Sequence, residues 1–331
     1  MSITVVGSIA YDAVKTPFGE RERMLGGAAV HFALAASFFE QVRVVGPVGE
    51  DFGEPELALL RDRGIDVSDV ERIPGGKTFF WRGEYGWDLN SRETLDTQLG
   101  VFEGFQPKLS DSSRSSDVLF LANIQPDLQR EVRAQLPNAR FVALDSMNLW
   151  IDIARDSLVE AIESVDCVIL NDAELRQLTG KPNLLSAARE VLSWTPSASS
   201  SGGARGVGEA SGPKVIVAKQ GEYGAALVTR ERFFALPAFP LESVIDPTGA
   251  GDTFAGGFVG FLAAHLGEGD QELSDELLRA AMAHGTALAS FNVEEFGTER
   301  VVRLTDAEIA ARVQELREIT SCSGAPLQLR D

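Results

Sequence analysis

Asp252 stands directly after Gly249-Ala250-Gly251 in "VIDPTGAGDTFAGGF" (244–258), where one apolar segment ends and another begins. "FPLESVID" (239–246) reads as a strand, and "DTFAGGFVGFLAAHL" continues with helical apolar spacing, so the glycines fall at a helix N-terminus. Backbone N–H groups there have no intrahelical partner, and the helix dipole adds partial positive charge. Gly249 and Gly251 permit tight turns and close approach, so the turn Gly249, Ala250, Gly251 suits an anion cradle for phosphate. A carboxylate at an isolated helix start is usually a cap. Beside an anion cradle it is also what phosphoryl transfer to a hydroxyl requires. The amides stabilise charge on the phosphoryl oxygens while Asp252 takes the hydroxyl proton.

The elements that must position this turn alternate along the chain. "ITVVG" (3–7), "VRVVG" (42–46), "VLFLAN" (118–123), "RFVALD" (140–145), "CVILN" (167–171) and "KVIVAK" (214–219) are apolar on both faces, as parallel strands covered on two sides are. Helical stretches separate them at 27–39, 53–63, 127–136, 152–164, 172–179, 184–194, 250–266 and 274–290. This predicts an α/β fold with a doubly wound, mostly parallel central sheet and helices on both faces. Residues 77–102, rich in aromatics and Thr with polar residues interleaved, predict a small antiparallel β lid. Residues 195–214 are mostly Ser, Gly and Ala and read as a flexible loop; the tail after about 318 reads as peripheral. One domain over 1–318 is the expectation.

With 331 residues and 44% hydrophobic composition the chain has material for one large α/β core. A net charge of −19 argues against nucleic acid or an anionic membrane as the main partner, while leaving room for a locally positive site. The two cysteines, Cys167 and Cys322, have no metal spacing, and Cys167 in "VDCVIL" reads as a buried thiol. "MSITVVGSIA" lacks the basic start of a signal peptide, and no apolar run reaches the ~20 residues that cross a bilayer. A cytoplasmic protein is expected.

"DPTGAGDTFAGGF" resembles the C-terminal signature of the ribokinase-like (phosphofructokinase-B, PfkB) family of carbohydrate and nucleoside kinases. Gly26-Gly27 before a helix resembles the N-terminal signature, where two glycines meet the substrate and hinge a lid. "VVGSIAYD" (5–12) is similar to the first strand, and the resemblance implies that Asp12 binds substrate hydroxyls and that about 10–18 joins the lid. "NDAEL" (171–175) matches N-x-x-E, which implies that Asn171 and Glu174 organise Mg2+ and phosphate through water. "VAKQGEYGA" (217–225) resembles the nucleotide strand and turn, with Lys219, Gly221 and Gly224 near ATP. "ALDSMNLW" (143–150) is similar to the D-x-N segment behind the substrate, and His284 would lie by the adenine. Asp246, six residues before Asp252, with Thr248 and Gly297 matches the monovalent-cation loop, which makes K+ a second candidate ion.

Each of these has a plainer reading. Asn171 and Glu174 are also a helix cap, Asp12 and Asp246 turn residues, and His284 helix packing. His31 replaces the Asn that many members hold against the sugar, and reads equally as substrate contact or packed core. Lys219 replaces a common Thr and would reach nucleotide phosphates. Phe79, Phe80, Trp81, Tyr85 and Trp87 read as lid core or as a subunit contact; a lid with two apolar faces implies a homodimer.

The expected activity is an ATP-dependent transferase, a carbohydrate kinase acting on a hydroxyl, a primary CH2OH, of a sugar or sugar-like small molecule. A nucleoside kinase is the alternative within the class, and a non-catalytic sugar or nucleotide sensor the alternative outside it. "GSIAYDAV" lacks the G-x-G-x-x-G turn of a dinucleotide-dependent dehydrogenase, and no Walker-A lysine motif is present.

Overall fold

The computed structural model describes residues 1–195, 212–267 and 273–321. In chain order its first elements are β1 (Ser2–Val6), β2 (Ala10–Thr16), β3 (Gly19–Gly26), α1 (Ala28–Ala36), β4 (Gln41–Gly49), α2 (Glu54–Asp62), β5 (Asp66–Ile73), β6 (Phe79–Tyr85) and β7 (Arg92–Gln98). The middle of the chain forms α3 (Asp111–Arg114), β8 (Val118–Leu121), α4 (Pro126–Gln135), β9 (Phe141–Asp145), α5 (Asn148–Ile153), α6 (Arg155–Glu163), β10 (Cys167–Asn171), α7 (Asp172–Thr179) and α8 (Leu184–Leu192). Then follow β11 (Val215–Lys219), β12 (Ala225–Val228), β13 (Phe233–Leu236), α9 (Ala250–His265), α10 (Asp275–Asn292), α11 (Glu299–Val302) and α12 (Asp306–Thr320).

The central sheet has nine strands in the order β13-β12-β11-β10-β9-β8-β1-β4-β5. It is parallel from β11 to β5, and β12 and β13 close one edge antiparallel. Successive side chains feed opposite faces, as the strand period requires. Cys167 and Ile169 enter the core beneath α1, α9 and α10, while Val168 and Leu170 enter the one beneath α4, α6, α7 and α8. The Cys167 thiol is a buried core group whose pKa burial raises; Cys322 lies outside the described residues. Among the described residues no helix is long and apolar enough to cross a membrane.

A second sheet, β3-β2-β6-β7, forms the lid: its outer pairs are antiparallel, and β2 and β6 run parallel at its middle. β3 was not among the expected lid strands; its "GERERMLG" offers no apolar run to read. The lid aromatics are largely used up inside. Trp81 and Tyr85 pack with Val14 and Phe296, Phe79 stacks on Phe102, and Phe80 rests on the main core. The other face carries charge, pairing Lys15 with Glu84 at 2.8 Å and Arg82 with Glu22 at 2.9 Å. Apolar side chains also stay exposed on or beside the lid: Phe18, Leu95 and Leu99, with Trp87 at the hairpin tip.

Two other expectations change. "FPLESVID" forms no strand: Pro240 has no N–H, Phe239 lies under Arg312, and Ile245 bonds Val293 at the end of α10 instead of a neighbouring strand. α12, capped by Thr305 and Glu308, carries the chain to Thr320, two residues beyond the expected domain end. Most of 195–214, expected as a flexible loop, and most of 319–331 lie outside the described residues.

Candidate active site

α9 begins at the end of the 237–249 connection, and its 16 residues aim their N-terminus into a cavity of about 600 Å³. Gly249 has φ 74, and a Cβ there would run into the His31 ring, so only glycine serves. The Ala250 N–H donates to the Pro247 carbonyl at 3.2 Å and closes the turn. The expected three-residue cradle therefore has two open main-chain donors, Gly249 and Gly251, which find no partner among the described residues and line the cavity. Asp252 lines it too. Burial raises its carboxyl pKa, while Lys219, its own N–H and Arg92 hold it down.

The floor is the C-terminal end of three neighbouring strands. In register across them, Asn171 on β10 faces Lys219 on β11, and Ile169 faces Asp145 on β9. Lys219 Nζ donates to Asp145 Oδ2 at 2.9 Å and lies 3.0 Å from where a Cβ on Gly251 would stand. The lysine thus lies against the glycine turn itself. Asn171 and Glu174 form a full capping box: the Glu174 N–H donates to Asn171 Oδ1 at 2.7 Å and the Asn171 N–H to Glu174 Oε2 at 2.8 Å. Both line the cavity as well, so capping and site duties coexist. Burial, then the Asp145 charge, pushes Glu174 up to about 7; burial, partly offset by Lys219, pushes Asp145 up to about 6.

Asp12 on β2, like Gly26, Gly27 and His31, is not among the residues that line the cavity; it is 5% exposed, its carboxylate accepting the Gly27 N–H and packed on Gly26 so closely that a Cβ there would collide. Burial, with Asp246 and Asp252 nearby, raises it to about 7. His31 is buried and neutral, with burial lowering its pKa to about 4. Asp246 Oδ1 accepts the Thr248 N–H and Oδ2 the Gly297 N–H, each at 2.9 Å, which gathers the three expected cation-loop residues. Gly221 and Gly224 shape the turn after β11 with φ 57 and 100. His284 is not brought to the cavity: it stacks on Phe261 at 4.0 Å and meets Phe39 edge-on, so helix packing is its observed role.

Asp145, the aspartate of the "ALDSMNLW" segment, and two residues not singled out from sequence, Arg92 and Asn292, complete the picture. Asp145 holds Lys219. Arg92, on β7, brings the lid's positive charge to the cavity. Asn292 is fully buried at the end of α10 and donates to the Thr248 carbonyl. The lid tip also reaches across the cavity, where Asn90 Nδ2 donates to Glu222 at 2.9 Å.

The buried carboxyls set a pH dependence for the ligand-free protein. Asp12, Asp145 and Glu174 all have folded pKa values above the ordinary carboxylate range near 4, so the folded state binds protons more tightly than the unfolded one. Their contribution to stability is full below about pH 4 and is lost as pH rises through about 6 to 7. We expect the unfolding temperature of the ligand-free protein to fall across that interval and Mg·ATP to reduce the fall; a flat profile would contradict it.

An open, mostly parallel sheet with a glycine turn at a helix N-terminus and acids at its strand ends is an arrangement able to receive a phosphate. Comparison with known proteins agrees: the model "pfkB family carbohydrate kinase" matches residues 2–303, and the chain belongs to that family of ATP-dependent kinases. It is similar to the cytidine kinase of Thermococcus kodakarensis, 29% identical over 265 residues, covering 78% of this chain and 87% of that one. It is similar to the deoxyribokinase of Salmonella typhi, 30% identical over 288 residues and 83% of each chain. Its fold matches that of Burkholderia thailandensis nucleoside kinase in complex with ADP-inosine, with TM-score 0.72, 19% identity, and 99% and 100% of the two chains covered.

Proposed function

We propose that this enzyme transfers the γ-phosphoryl group of ATP to a hydroxyl, a primary CH2OH, of a sugar or sugar-containing small molecule held beneath the lid. The observation that carries the proposal is the pairing of open Gly249 and Gly251 amides with the partly buried Asp252 in one cavity. Asp252 accepts the acceptor's hydroxyl proton, the freed oxygen attacks the γ-phosphorus, and the bond to the bridging oxygen of ADP breaks. The two amides and Lys219 meet charge on the moving group, which water would otherwise intercept if the lid stood open.

The acid-rich floor suits a hard cation: Asp145 and Glu174 both line the cavity and offer carboxylate oxygens. Mg2+ would be held by Glu174 and Asp145 through water, as it commonly keeps several of its waters beside one or two carboxylates. Mg2+ supplies charge neutralisation on the phosphates when bound. K+ would lie, as a second ion, against the loop of Asp246, Thr248 and Gly297, where each oxygen that accepts an N–H keeps a further lone pair to offer. Acceptor contacts fall to Asp12, the Gly26-Gly27 turn and His31. The cytoplasm suits an ATP-consuming site and a free Cys167.

The nucleoside reading is favoured by the similarity to a cytidine kinase. A screen of pentoses, hexoses and nucleosides coupled to ADP release decides between them. We expect acceptor-dependent ADP release with a free sugar; release with nucleosides alone would move the acceptor to that class. Binding without release over the whole screen would make the protein a sensor and end the proposal.

A further inference from the structure

We infer that Asn292 is a positioning residue for phosphoryl transfer: by gripping the Thr248 carbonyl it fixes the peptide plane that aims the Gly249 N–H into the cavity. The inference rests on the phosphoryl-transfer reading above.

Three hydrogen bonds converge on this one side chain. Its Nδ2 donates to the Thr248 carbonyl at 2.7 Å, and its Oδ1 accepts from Thr253 Oγ1 at 2.9 Å and meets His31 Nδ1 at 3.2 Å. The amide cannot be turned round, because a carbonyl accepts only and must face the NH2 group. With Oδ1 thereby placed at His31, the imidazole carries its proton on Nδ1 and donates it. The ring is neutral, buried and packed against Gly249. Asn292 thus joins α1, the glycine turn and the first turn of α9.

The consequence for Gly249 follows from the planarity of the peptide unit. The Thr248 C=O and the Gly249 N–H belong to one trans peptide and point in opposite directions, so fixing the carbonyl fixes the N–H. A glycine at φ 74 has no side chain to hold it, and its N–H has no partner among the described residues. Without the Asn292 grip the plane is free to rotate, and the donor would have to be reoriented as charge develops. An anion hole works because its dipoles are already aligned.

The test uses Asn292→Leu, which removes all three bonds, and Asn292→Asp, which keeps the shape but turns an oxygen toward the Thr248 carbonyl. Both should lose ~10²–10³ in kcat, the usual cost of one anion-hole donor, with Mg·ADP affinity changed by less than about threefold. Mg·ADP with aluminium fluoride, which mimics the moving group, should bind ~10²-fold or more weaker to the variants, while Mg·ADP alone does not. If the Leu variant fails to fold, the Asp variant decides by the same measures. Near-wild-type kcat, or an equal loss for Mg·ADP with and without aluminium fluoride, would overturn the inference. A wild type that neither releases ADP nor binds the aluminium fluoride complex would instead bring down the phosphoryl-transfer reading, and this inference with it.

Discussion

Asp252→Asn should keep nucleotide binding and lose ~10²–10⁴ of turnover, the usual worth of a positioned base. Asn preserves the shape, and the open Gly249 and Gly251 amides and Lys219 remain to bind phosphate. What disappears is an acceptor for the hydroxyl proton. Because burial raises the Asp252 carboxyl above its ordinary range, the acid side of the wild-type rate profile should lie higher than an exposed aspartate would place it. The variant should lose that limb altogether. Calorimetry with Mg·ADP and a pH series of kcat check both halves. Wild-type-like turnover would remove Asp252 from the chemistry.

The substitution has a second consequence among its neighbours. The Asp252 charge contributes to the raised carboxyl pKa values of Asp12 and Asp145, since like charges share a poorly solvated space. Asp252→Asn should therefore relax both toward ordinary values and soften the fall of stability with pH in the ligand-free protein. Catalytic loss combined with a flatter stability profile is a signature that simple unfolding would not produce.

How far such a site can be seen in sequence depends on how far apart its parts lie. The glycine turn, Asp252 and the Asn171–Glu174 box are local, their partners within a few residues: spacing shows the turn with its acid and shows the box as a cap, while the box's place in a site came from its resemblance to N-x-x-E. The parallel strands were equally visible, because burial on both faces demands continuous apolar runs. Asp145 and Lys219 are 74 residues apart and meet only because β9, β10 and β11 are adjacent in the sheet. Asn292 is 44 residues from Thr248, at the last position of α10, where an asparagine looks like an ordinary helix end. β3 and β5 escaped because lid and edge strands carry polar residues. His284 misled in the other direction: on an amphipathic helix the residue type does not say which flank it occupies, and here it faces Phe261.

Lys219→Met should be the most destabilising change in the site, and its cost should grow with pH. Lys219 is the cation shared by Asp145, Glu174 and Asp252, and its pair with Asp145 is nearly solvent-free, with side chains 17% and 6% exposed. Deleting one partner of such a pair leaves a stranded charge and typically costs about 3–5 kcal/mol. The carboxyls have an escape, which is to take up protons. Without the lysine their folded pKa values rise further, so below about pH 5 they are neutral and the cost shrinks, while toward about pH 8 protonation itself becomes expensive. Unfolding temperatures of wild type and Lys219→Met should thus converge in acid and separate in base. Adding Asp145→Asn to Lys219→Met should recover part of the loss at the higher pH, since the stranded charge is then gone. Equal destabilisation at both pH values, or no recovery in the double variant, would show that Lys219 is held by packing of its stem and not by the three carboxylates.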